Sequence, residues 1–138
     1  MADDVRRVEH YTIEIEDKVG SGARMLASLR DNDVDLIAVW GYPGGPGKAK
    51  FELVPKDGAG FAAAAKTLGL EIGAPTTAFC VAGDDRLGAI AEKFEALAHA
   101  NVNVTSAHAI SDGRGHFGAI IYVAPADLQK AATALDAL

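Results

Sequence analysis

The sequence predicts an α+β fold built from two βαββαβ units in tandem. Three observations predict it. First, sliding the chain by 68 positions superimposes its halves without a gap for about forty residues. Asp17 falls on Asp85, Gly20 on Gly88, Leu29 on Leu97, Val34 on Val102, Gly45 on Gly113 and Gly47 on Gly115. Second, apolar and polar residues alternate in the first strand of copy one, while three- and four-residue spacing marks the helix that follows in copy two. Third, each copy carries a glycine-rich turn between two β-rich runs, the signature of a hairpin.

The elements follow in order. Tyr11, Ile13 and Ile15 alternate with Thr12, Glu14 and Glu16, as in a half-buried strand. The counterpart at 77–83 is more uniformly apolar, through Phe79, Cys80 and Val81, as a central strand would be. Leu87, Ile90, Phe94 and Leu97 form one apolar stripe. The matching positions of copy one are Val19, Gly22, Leu26 and Leu29. Asp84 and Asp85 precede the second of these helices and are expected to cap its free N–H groups. Hairpins are expected at 35–42 with 48–54, around Pro43-Gly44-Gly45-Pro46-Gly47, and at 103–110 with 116–123, around Ser111-Asp112-Gly113-Arg114-Gly115. Helices follow at 59–68, through the alanine run Ala62–Ala65, and at 126–135. Residues 70–72 read as a fourth strand of copy one, and 73–75 as the linker. This order predicts two ferredoxin-like units, each an antiparallel sheet with its helices on one face. The expected division is an N-terminal extension at 1–9, unit 1 at 10–73 and unit 2 at 76–138. Positions matching the fourth strand fall at the end of copy two, so its sheet is short of an edge, and residues 5–9 are the candidate lender.

Composition limits the function. The chain has 138 residues, 49% hydrophobic and 23% charged, enough for a packed core. Residues 1–74 hold 9 basic and 12 acidic side chains and residues 75–138 hold 4 and 7, so each half is −3. Without a basic stripe, neither nucleic acid nor an anionic membrane is expected as partner. A single cysteine, Cys80, no apolar leader and no span-length apolar run predict a soluble, cytoplasmic protein. No nucleophile elbow, Walker loop, zinc helix or Cys-x-x-Cys occurs, and no convergent acid–base set can be named. Gly20-x-Gly22 lacks the third glycine of a dinucleotide fingerprint, Met25 standing there. His108 and His116 lie symmetrically about Asp112, which would set them across the hairpin, but a third metal ligand is missing and surface histidines are expected instead. Trp40 reads as a sheet-packing residue.

The sequence Phe79-Cys-Val-Ala-Gly-Asp-Asp85-Arg-Leu-Gly88-Ala-Ile-Ala, continuing to Ala100-Asn-Val-Asn103-Val, resembles the ACT domain family of small regulatory modules. Tyr11-Thr-Ile-Glu-Ile-Glu-Asp17-Lys-Val-Gly20 carries the same pattern in copy one. Val19 and Leu87 stand where ACT sequences usually have proline, and Asp35 stands where they often have asparagine. The resemblance covers roughly residues 10–137. It implies a tandem pair of ACT-like units without an attached enzyme domain. With no catalytic motif and no third metal ligand, no enzyme activity, cofactor or metal is expected. It implies an amino acid or related metabolite bound between paired units. The ligand-facing positions it implies are Asp85, Leu87, Gly88 and Asn103 in copy two, and Asp17, Val19, Gly20 and Asp35 in copy one. Helix N-termini suit a carboxylate there, and Asn103 offers a donor and an acceptor. A homodimer is expected, because small units need partners and two-fold assemblies are commonest. The alternative is a non-catalytic interaction subunit of an amino-acid biosynthetic enzyme.

Overall fold

One long strand opens the chain and belongs to two cores. The computed structural model describes residues 3–137. Strand β1 runs Asp4–Glu16. The chain divides into two compact units, an N-terminal one of residues 9–76 and a C-terminal one of residues 3–8 with 77–137. The division falls inside β1, so its first half serves the C-terminal unit and its second half the N-terminal one.

In the N-terminal unit β1 is followed by α1 (Ser21–Asp31), β2 (Leu36–Gly45), β3 (Lys48–Pro55) and α2 (Gly58–Leu68). The strand order is β2-β3-β1. Pairing is antiparallel, with Ile13 opposite Phe51 and Gly41 opposite Phe51 on its other side. Odd-numbered residues of β1 face the helices. Tyr11 and Ile13 are buried there with Met25, Leu29, Leu53 and Phe61. Residues 70–72 do not form the expected fourth strand. Gly69 takes a left-handed φ of 70° and the Leu70 N–H donates to the Ala65 carbonyl at 2.9 Å. That bond folds the chain back on the helix end, in the usual manner of a glycine stop. Leu70 and Ile72 then pack against the core as irregular chain.

The C-terminal unit contains β4 (Thr76–Asp84), α3 (Ala89–His99), β5 (Val104–Ser111), β6 (His116–Val123) and α4 (Leu128–Ala134). A 3₁₀ turn at Pro125–Asp127 occupies the start of the helix expected at 126. The strand order is β1-β4-β6-β5. Val5 is 2% exposed and packs with Phe79, Val81, Leu97 and Ile121. The first half of β1 thus supplies the edge that copy two lacks. The copies are unequal in the opposite sense to their sequence, since the N-terminal unit has three strands and the C-terminal unit four.

Two helix expectations need correction. Leu87 and Val19 are fully exposed, not the first residues of apolar stripes. They sit in turns ahead of the helices, so their phase is not helical. Met25, unnoticed in the pattern, is buried beside Leu29. Among the described residues no helix is long and apolar enough to cross a membrane.

Candidate functional site

The turn from first strand to first helix is built alike in both copies. The Asp17 N–H donates to the Gly47 carbonyl at 3.1 Å, and the Asp85 N–H to the Gly115 carbonyl at 2.8 Å. Each turn is thereby tied to the end of its own hairpin. Gly20 (φ 89°) and Gly88 (φ 77°) then begin the helices in the left-handed region, where a Cβ would be strained. Asp84 and Asp85 do not cap α3; no side-chain cap bond is made. Asp85 instead accepts a bond from Ser111 Oγ at 3.0 Å, across to the end of β5.

In the C-terminal unit this turn opens onto a shallow pocket of about 280 Å³. Asp85, Arg86 and Gly88 border it on the turn, Ile90 on the helix, and Ala109 and Phe117 on the strands. The pocket therefore combines a carboxylate, the first turn of a helix and an apolar wall. The first turn of a helix carries N–H groups without intrahelical partners and a positive dipole end.

Arg86 is held in place. Its guanidinium donates to both oxygens of Asp3 at 3.1 and 3.0 Å and pairs with Glu92. Lys93 Nζ lies 3.0 Å from the same Asp3, whose side chain is 1% exposed. The hydrogen bond from Arg86 leads the effects that hold the Asp3 carboxyl below its ordinary value, against the opposing effect of burial. Gly83 makes room for this carboxylate, because a Cβ there would stand 2.0 Å from Asp3 Oδ1. Gly83→Ala is therefore expected to expel Asp3 and destabilise the chain by about 2 kcal/mol in urea denaturation. An unchanged midpoint would show that Asp3 contributes nothing.

The other sequence-derived positions lie elsewhere. Leu87 adjoins the pocket-lining Arg86 and Gly88 with its side chain in solvent. Asn103 immediately precedes β5, at the opposite end of an eight-residue strand from Ser111. At about 3.3 Å per residue, that places it roughly 26 Å from Asp85 along the strand. One unit alone does not bring Asn103 and Asp85 to the same small molecule. In the N-terminal unit Asp17, Val19 and Gly20 repeat the turn, and Asp35 lies at the far end, its carboxylate 2.9 Å from Lys56 Nζ. His108 and His116 are not opposite each other. The register sets His108 against Ile120, and His116 Nδ1 lies 3.1 Å from Asp112 Oδ2.

A polar cluster that the alternation pattern concealed lies on the helix-free face of the N-terminal sheet. Glu52 is 6% exposed. It accepts Thr12 Oγ1 at 2.7 Å and Tyr42 Oη at 2.9 Å, and lies 2.6 Å from His10 Nε2. The His10 ring stacks on Trp40 with centroids 5.8 Å apart. Burial pushes the Glu52 carboxyl up, but the bonds from His10, Thr12 and Tyr42 together outweigh it and hold it below its ordinary value. Trp40 thus packs its ring on His10.

No protein-family model matches the sequence, and neither does any curated protein. Solved structures do match. A protein from Bacteroides thetaiotaomicron aligns with TM-score 0.80 at 14% identity, over 96% of this chain and 88% of that one. The regulatory subunit of aspartate kinase from Thermus thermophilus aligns with TM-score 0.62 at 19% identity, over 98% and 93%. The corresponding subunit from Thermus flavus gives 0.61 at 21% identity, over 98% and 94%. At these identities the likeness is one of fold, an α+β arrangement consistent with two ferredoxin-like units.

Proposed function

We propose that this chain is a non-catalytic, cytoplasmic regulatory protein whose C-terminal unit binds an amino acid or a related small metabolite. The pocket beside Asp85 carries this reading. An ammonium group suits the Asp85 carboxylate, and a carboxylate suits the positive N-terminal end of α3, beyond the Ala89 N–H that donates to the Arg86 carbonyl. An apolar wall of Ile90, Ala109 and Phe117 stands beside them. The fold shared with aspartate kinase regulatory subunits supports a regulatory role.

A homodimer fits the same reading, because a second chain could present the Asn103 that a single unit holds too far away. Leu87 then lies at the mouth of the pocket, and Asp17, Val19, Gly20 and Asp35 form the corresponding places of copy one. One observation favours the second reading, a non-catalytic subunit of a biosynthetic enzyme. Edge strand β5 is exposed almost throughout, with Ile110 at 77%, and edge strand β2 exposes Ile37, Val39 and Tyr42. Such edges suit a protein partner.

Calorimetry over the twenty amino acids tests the proposal. One of them is expected to bind, and Asp85→Asn to weaken it at least tenfold. Absence of binding by all twenty rejects the ligand reading and leaves the interaction reading.

A further inference from the structure

Three residues of the N-terminal unit act as a set. Phe51 on β3 faces the helices, between Ile13 of β1 and Gly41 of β2. Its ring lies against Gly22, in the first turn of α1, and against Gly41. A Cβ on Gly22 would stand 3.0 Å from the ring's Cζ, and one on Gly41 2.9 Å from Cε1. Neither glycine has a positive φ, so backbone conformation does not call for them. Glycine weakens both a helix and a strand, and here the placement of the ring offsets that cost.

The same three places in the C-terminal unit hold Ile90, Ala109 and Ala119. Their register is equivalent, with Val81 and Ala109 on either side of Ala119. Two of the three, Ile90 and Ala109, line the 280 Å³ pocket. Ile90 returns part of the ring's volume, yet room remains between the first turn of α3 and β5.

We infer that Phe51 is a built-in plug, filling in the N-terminal unit the room that the C-terminal unit keeps for the side chain of its ligand. The inference rests on the proposed function and narrows it twice. The ligand is a free amino acid with an aromatic or branched aliphatic side chain, because it meets Ile90, Ala109 and Phe117 where the other copy places a phenyl ring. One chain binds one such ligand, in its C-terminal unit.

The test is calorimetry on the full chain with phenylalanine, leucine and isoleucine, and with glutamine and lysine as polar probes of similar size. An apolar amino acid is expected to bind at one site per chain. Ala109→Leu fills the pocket from an exposed edge-strand position and is expected to weaken binding at least tenfold with the melting curve unchanged. Ile90→Gly with Ala119→Phe installs the plug of copy one; it lowers the melting temperature, because glycine weakens α3 and Ala119 is buried, and is expected to weaken binding as much. Undiminished affinity in a folded Ala109→Leu protein, or two sites per chain in the unchanged protein, overturns the plug and leaves the proposed function standing. Binding of a polar amino acid alone overturns the apolar ligand and also leaves the proposed function. No binding by any of the twenty amino acids overturns both.

Discussion

Replacing Glu52 with alanine is expected to cost about 3 kcal/mol, a fall in melting temperature of roughly 10 °C for a chain of this size. The reason is the cluster that the carboxylate holds together. Glu52 is buried and receives Thr12 and Tyr42 hydroxyls, with His10 Nε2 at 2.6 Å. Alanine removes the acceptor that these partly buried groups share, and regaining water there is incomplete. Glu52→Gln keeps one acceptor oxygen and is expected to cost about half as much. The same residue sets a pH dependence. Its folded carboxyl lies below the ordinary value of 4.5, so its contribution is fully present above that pH. It is lost as pH falls below 4.5 through the lower folded value. Asp3, also held below its ordinary value, adds loss in the same direction at lower pH. Wild type and Glu52→Gln compared by thermal melts from pH 7 to pH 3 should converge on acidification. Parallel curves over that range would rule out the carboxylate as the cause.

Deletion of residues 1–8 is expected to unfold the C-terminal unit while the N-terminal unit persists. Val5 and Val8 are 2% and 8% exposed, each contributing about 1.5–3 kcal/mol by burial. The deletion also removes Asp3 from Arg86 and Lys93, and the edge strand beside β4. The combined loss, about 5 kcal/mol or more, matches the whole stability of a small domain. Hydrogen exchange should show amides of 77–137 unprotected and those of 9–76 still protected. Protection retained throughout would make the first half of β1 dispensable.

Much of the fold was legible because the repeated residues each meet a local backbone demand. Gly20 and Gly88 take the left-handed turn before a helix. Asp17 and Asp85 carry the N–H that ties that turn to Gly47 and Gly115. Leu29 and Leu97 accept the N–H of Val34 and Val102, closing the helix ends. These are short-range constraints, and they survive as identities at a fixed offset. The pairing of β1 with β4 is different in kind. It joins residues about seventy positions apart and leaves no local pattern, so residues 5–9 could be named as the lender only from the edge that copy two is short of, and not from any signal of their own. Glu52 was hidden because its place in the alternation is that of an ordinary outward residue; the donors around it come from other strands. The candidate site was legible at Asp85 and Gly88, which the turn itself marks. Ile90 was legible as part of a helix stripe, but its place in the pocket wall with Ala109 and Phe117 was not, because that wall is made where helix and hairpin meet.

The shared strand also gives the chain a timetable. Its first half is synthesised at the outset, but β4 begins only at Thr76. At roughly 5–20 residues per second, the ribosome takes on the order of 4–14 s to reach that partner. Through that interval Val5 and Val8 wait uncovered while the second half of the same strand can already pair with β3. The N-terminal unit is therefore placed to fold first, holding out the strand on which the C-terminal unit later assembles. A cut at the linker, which the repeat would suggest as the natural place to divide the protein, separates the later unit from the strand that starts it.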